Sequence, residues 1–185
     1  MAARIIGLTG QNGSGKGTVA EILKGLGYSY VSLSDMIREE ATRRGEGHDR
    51  QTLTALGNEL RAAHGHGVLG NRVVGRIGAA GGTWAVDSIR HPAEVDALRT
   101  LEGFTLWRIT APIETRFARA IARGRVEGVR TLEEFQRENG KENAKAGDAV
   151  QHIEDCEQLA DTTVENDGTI EELRSKVLAL VGRDA

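Results

Sequence analysis

The nine residues Gly10-Gln11-Asn12-Gly13-Ser14-Gly15-Lys16-Gly17-Thr18 decide the fold. They fit the pattern glycine, four residues, glycine, lysine, and their surroundings matter as much as their identity. Upstream, Ala3 to Leu8 is an apolar run too short for a helix; it ends at Thr9 and Gly10 and reads as a buried strand. Downstream, the apolar spacing from Lys16 to Leu26 predicts a helix that stops at Gly27. Strand, glycine loop, helix is the context in which this pattern binds phosphate. Glycines let consecutive backbone N–H groups converge on a phosphate, the helix N-terminus adds its dipole, and the lysine bridges the β- and γ-phosphates. A plain glycine turn leaves the lysine and the position of the loop unexplained. Asn12, Gly13, Ser14, Gly15, Lys16, Gly17 and Thr18 are therefore candidate ATP-binding residues.

Working outward, Tyr28 to Leu33 is rich in β-formers and predicts a second strand. Three helical patterns follow: Met36 to Arg44 with Ser34 as N-cap, a segment carrying Leu53, Leu56, Leu60 and Ala63, and Val68 to Ile77. Thr83 to Val86 and Phe104 to Thr110 read as strands, separated by a helix over Pro92 to Leu101. Pro112, tolerated in a first helical turn, opens a helix to about Ala122. Thr131 with Glu134, and Thr169 with Glu172, are capping boxes that start two more helices. Between them lie a helix over about Ala149 to Leu159 and a strand over Thr162 to Val164. Apolar strands alternating with helices predict a three-layer α/β fold with a five-stranded parallel sheet. Arg108 conflicts with a buried strand unless it pairs with a carboxylate or lies at an exposed strand end.

At 185 residues the chain is expected to be a single domain, and 28% charged residues with two prolines exclude disordered and collagen-like classes. A net charge of −3 offers no overall positive field for nucleic acid or an anionic membrane. Without a long apolar run, a leader pattern or more than one cysteine, a cytoplasmic protein is expected. Cys156 reads as a packed helix residue. The five lysines leave 19 arginines among 24 basic residues, and arginine's planar fork suits a polyanionic ligand.

Gly17 stands where many phosphate loops place a magnesium-binding hydroxyl, and Thr18 follows it. In this the loop resembles the adenylate kinase group of nucleoside monophosphate kinases, whose pattern is G-x-x-G-x-G-K-G-T. Ser32-Leu33-Ser34-Asp35-Met36-Ile37-Arg38 similarly resembles the segment with which that group holds its monophosphate, although an N-terminal helix carboxylate and a solvated arginine would read the same way. The resemblance implies Asp35, Arg38 and Arg90 at the acceptor and a helical insert of about 34–80 around it. Trp84-Ala85-Val86-Asp87 ends an apolar strand in a carboxylate, which places Asp87, with Thr18, as a candidate for magnesium, largely through water. Arg119, Arg123, Arg125 and Arg137 resemble a short kinase lid over about 123–137 that closes on the phosphates. Lys16, Asp35, Asp87 and Arg123 are the candidate catalytic set.

Ala160 to Thr169, with Asn166, resembles the final strand and turn of dephospho-CoA kinases, where the base of ATP lies, and over its whole length the chain is similar to archaeal dephospho-CoA-kinase-like P-loop proteins. Three functions stay open: a monophosphate kinase, transfer to a hydroxyl, or a nucleotide-dependent switch. ATP and magnesium are the expected cofactors, a small nucleotide-like molecule the partner, and a monomer or homodimer the assembly. His64-Gly65-His66 has no third metal ligand nearby, and His48, His91 and His152 show no triad spacing.

Overall fold

The computed structural model describes residues 4–124, 130–143 and 152–183. Among them, five strands alternate with helices: β1 (Ile5–Thr9), α1 (Lys16–Gly25), β2 (Ser29–Ser32), α2 (Leu33–Arg44), α3 (Arg50–His64), α4 (Val68–Ala80), β3 (Trp84–Asp87) and α5 (Pro92–Leu98). β4 (Phe104–Thr110), α6 (Ile113–Ala122), α7 (Leu132–Asn143), α8 (Ile153–Gln158), β5 (Thr162–Glu165) and α9 (Ile170–Arg183) follow. The sheet order is β2-β3-β1-β4-β5, and every pairing is parallel. β1, buried at all five residues, therefore sits at the centre, and the loop that follows it opens at the carboxyl edge of the sheet.

Strand alternation sends side chains to two cores. Ile5 joins Val31, Val86 and Leu106 on the face covered by α2 to α5, whereas Ile6 and Leu8 join Val19, Leu23, Leu173 and Val177 under α1 and α9. Gly7 belongs to the first face, where a Cβ would lie 2.7 Å from Ile89 Cδ1 and 2.8 Å from the Phe104 ring. A side chain there would overpack a filled core, while truncating Leu23 to Ala on the opposite face costs about 2–5 kcal/mol. A small third cluster, Phe117 and Phe135 with ring centroids 5.6 Å apart, seats α7 on α6.

Several boundaries differ from expectation for local reasons. Helix α2 starts at Leu33 because Ser32, not Ser34, is its N-cap, in a capping box closed by Asp35. Pro112 is itself the N-cap of α6. Helix α8 spans only Ile153–Gln158, and residues 149–151 of the expected helix lie outside the described residues. Arg108 does find a carboxylate, Glu157 Oε2 at 3.4 Å. Cys156 is buried in the first core, and burial pushes its thiol well above the ordinary range. Among the described residues no helix is long and apolar enough to cross a membrane.

Candidate active site

Between β1 and α1 the chain takes three left-handed turns, at Gly10 (φ 139°), Gly13 (φ 79°) and Gly15 (φ 104°). Two of these glycines are also required by packing: a Cβ on Gly10 would run into the Ile109 carbonyl, and one on Gly13 would lie 2.9 Å from Arg116 Cα. Gly15 is the N-cap of α1 and supplies no side-chain cap, and the Thr18 N–H turns back to the Gly15 carbonyl at 2.9 Å. Lys16 Nζ lies across the loop and donates to the carbonyls of Gly10 (2.6 Å) and Gln11 (3.1 Å). Ser14 Oγ is buried without a hydrogen-bond partner among the described residues. A helix N-terminus with no side-chain cap and an ammonium that spans the loop fit a bound polyphosphate.

Side chains from the far end of the chain hold this loop in place. Asn166, just past β5, donates through Nδ2 to Ser14 O at 2.8 Å, and Arg119 in turn grips Asn166 at its backbone and side-chain oxygens (3.1 and 3.3 Å). Arg116, 8% exposed, donates to Ala111 O (3.2 Å) and Asn12 O (3.4 Å), and burial lowers the pKa of its guanidinium. Glu157 accepts the Gln11 N–H; burial raises its pKa, and Arg108, Arg116, that N–H and Lys16 pull it back down. Arg116 and Glu157 escaped the sequence reading. Their one trace was an arginine i−3 to Arg119 on the same helix.

A cleft of about 960 Å³ runs from Gly13, Gly15 and Lys16 to the α2–α3 wall. It brings together Lys16, Arg38, Asp87, Arg90 and Arg123 from the predicted set, with Asn12 and Gly17 at the loop end. Asp35, Ser14, Thr18, Arg119, Arg137 and Asn166 do not line it, and Arg125 lies outside the described residues. Asp35 is occupied otherwise: Oδ2 accepts the Ser32 N–H at 3.2 Å, and Oδ1 accepts Arg38 Nη1 at 3.1 Å. At the end of β3, Asp87 accepts the Ser88 N–H (2.6 Å) and the Tyr30 hydroxyl (3.3 Å). Burial first, and then the Asp87 charge, pushes the Tyr30 phenol up to about 12, so it stays protonated as the donor. Ser88 adopts φ 65°, a left-handed value uncommon outside glycine, and accepts a 2.9 Å hydrogen bond from Ser32 Oγ.

At the base of the cleft wall, Arg61 and the fully buried Glu94 form an ion pair of 3.2 Å. Beside them His66 stacks on His91 with centroids 4.4 Å apart, and His152 meets His91 edge-on at 5.1 Å. Burial, then His66, His152 and Arg61, hold the His91 ring down at about 4, so it is neutral at pH 7. Among the described residues no group of three or more His, Cys, Asp or Glu side chains is arranged to hold a metal ion.

The family model described as "AAA domain" matches residues 9–136. A UPF0200/UPF0201 protein of Archaeoglobus fulgidus is 32% identical over 179 residues, covering 94% of this chain but only 54% of that relative. A UPF0200 protein of Pyrococcus abyssi is 32% identical over 184 residues, covering 96% of this chain and 95% of the relative. Among solved structures, TT1252 from Thermus thermophilus superposes with a TM-score of 0.63 at 25% identity, covering 99% of this chain and 98% of that one. Shikimate kinase from Acinetobacter baumannii does so at 0.59 and 17% identity, covering 98% and 94%, a likeness of fold alone.

Proposed function

The chain belongs to the AAA domain family and is one of the UPF0200 proteins, and from that premise we propose that it is an ATP-dependent P-loop kinase acting on a nucleoside or deoxynucleoside monophosphate. One observation carries the reading: among the described residues, the cleft continuous with the phosphate loop is lined by Lys16 and by Arg38, Arg61, Arg90 and Arg123 against a single carboxylate, Asp87. That balance suits two phosphate-bearing ligands facing one another better than a neutral acceptor.

In this mechanism the backbone from Gly13 to Gly15 and the N-terminus of α1 cradle the β-phosphate, and Lys16 leaves the Gly10 and Gln11 carbonyls for the β- and γ-phosphates. The bond from the γ-phosphorus to the bridging oxygen breaks, a bond to an acceptor phosphate oxygen forms, and ADP leaves. A monophosphate is already anionic, so no general base is needed. Arg38, oriented by Asp35 in the insert of residues 34–80, and Arg90 grip the acceptor, and Arg123 closes on the phosphates at the start of the lid of 123–137. Asp87, at the cleft, and Thr18 would hold a divalent ion such as magnesium, largely through water, and such an ion would neutralise phosphate charge.

Two measurements test this. Acceptor-dependent ADP release should appear in a screen of common nucleoside and deoxynucleoside monophosphates, and silence with all of them overturns the reading. With the accepted monophosphate, Arg38→Ala should raise the acceptor KM and lower turnover while the KM for ATP changes much less. A second reading, transfer to a hydroxyl, draws support from Asp87, a carboxylate facing the cleft in the place of a base. Dephospho-CoA in the same screen, with a steep loss of turnover in Asp87→Asn, would favour it.

A further inference from the structure

Arg61 is unlike the other arginines of the cleft. It is 9% exposed, whereas the Arg38 side chain is 49% exposed at the rim. Along α3, Leu53, Gly57 and Arg61 recur every four residues and line the cleft, so one helix face delivers the guanidinium to its wall. At Gly57 a Cβ would fall 3.3 Å from Arg61 Nη1 and 3.0 Å from Ile37 Cδ1; the missing side chain leaves the guanidinium its room.

Glu94 sets its orientation. This carboxylate, 0% exposed, accepts the backbone N–H groups of Arg90 (2.9 Å) and His91 (3.1 Å) through Oε2, and Arg61 Nη2 through Oε1. The same group therefore fixes the Arg61 fork and the backbone from which Arg90 reaches the cleft. Burial pushes Glu94 above the ordinary carboxylate range, and Arg61 with the two N–H groups opposes it. A buried ion pair gains little stability over an apolar pair of equal volume, so stability alone does not account for one at a cavity wall. Of the five guanidinium N–H donors, Glu94 takes one, at Nη2, and that is the one hydrogen bond of this guanidinium among the described residues.

We propose that Arg61, held by Glu94, is the deep anchor for an oxyanion of the acceptor, with Glu94 as the positioning residue for Arg61 and Arg90 together. The inference rests on the reading of the cleft as the site of a phosphate-bearing acceptor. An anion in this recess meets a fork already oriented and shielded from water, so the contact is stronger than the same one at the rim.

The test is a binding measurement that needs no turnover. With the loop filled by a non-hydrolysable ATP analogue, inorganic phosphate is titrated by calorimetry, and the wild-type protein should show a saturable event. Arg61→Gln should weaken it by about 10-fold or more, and Arg61→Lys should fall between, since it keeps the charge but not the fork. Affinity for the analogue should stay within about 2-fold. Glu94→Gln retains a carbonyl to accept N–H groups but loses the charge that aligns Arg61, and should weaken phosphate several-fold. Because Arg61→Gln strands a buried carboxylate, the Arg61→Gln/Glu94→Gln double variant keeps the question open to measurement if the single variant unfolds. A folded double variant that binds phosphate as tightly as the wild type overturns the anchor, as does a wild-type protein that binds the analogue and no phosphate. Arg61-dependent phosphate binding without transfer to any monophosphate would uphold the anchor and defeat the monophosphate kinase reading, so the two fail separately.

Discussion

In the loop between β1 and α1 the backbone sets the geometry: Gly10, Gly13 and Gly15 take positive φ, and Lys16 rests on loop carbonyls. Across the cleft, α2, α3 and α4 have ordinary helical backbones, and side-chain charge organises them. Glu40, 8% exposed at its side chain, collects Arg43 (2.5 Å), Arg44 (2.7 Å) and Arg72 (3.4 Å), while Arg44 also reaches Glu59 (2.8 Å) and Arg76 reaches Glu39 (2.6 Å). The first arrangement has one geometry and tolerates few residues. The second is a network whose members can be lost singly at modest cost, which suits a wall that shapes a substrate pocket.

Perturbing the loop should therefore be far more damaging than perturbing the wall. Lys16→Ala removes the charge that balances the departing γ-phosphoryl group and should lower turnover by about 100-fold or more with an unchanged melting temperature. A folded variant with near-wild-type phosphoryl transfer breaks the assignment. Gly10→Ala combines an unfavourable φ with a clash against the Ile109 carbonyl and should cost about 2–4 kcal/mol in a denaturant titration. Glu40→Gln, in the wall, should cost on the order of 1 kcal/mol, and less at high salt.

The smallest effects, visible in stability against pH, separate the wall from the histidine stack. Hydrogen bonds from Arg43 and Arg44 hold Glu40 down from 4.5 to about 2. Its folded value is below its unfolded one, so its contribution is complete above about pH 4.5 and is lost as pH falls towards about 2; Glu40→Gln should flatten that limb. His91 is also depressed, from 6.5 to about 4, chiefly by burial. Between those values the unfolded chain binds the extra proton, so stability should fall as pH drops from about 6.5 to 4. Replacing His91 with Asn, which can still accept the Ala93 N–H, should remove that upper limb and leave the lower one. A single limb affected by both substitutions would mean that the two regions are not independent.

The order of strands and helices was legible because each signal is local: apolar runs of four to seven residues, helical spacing, and the capping boxes of Thr131 with Glu134 and Thr169 with Glu172, both formed as expected. Ser32 with Asp35 carries a related signature, and there a capping carboxylate and an acceptor-binding one look alike in one dimension. Arg61 carried no signal at all. Its place comes from Glu94, 33 residues away, and from a cavity lined from α1, α2, α3, α4 and β3 together. Arg116 and Glu157 were hard to see for the same reason, being tied to Asn12 and Gln11 far from them along the chain.

Sequence alone therefore determined the phosphate loop, the parallel α/β class and the candidates Lys16, Arg38, Asp87, Arg90 and Arg123, all of which line one cleft. Backbone conformation at glycines, helix caps and alternating apolar strands depends on neighbours within a few residues. The tertiary structure decided the distant ties of the arginines: Arg119 to Asn166, Arg116 to Asn12 and Arg61 to Glu94. A guanidinium acts at the end of a long, flexible stem, and its partner is set by which carboxylate or carbonyl the fold carries into its reach.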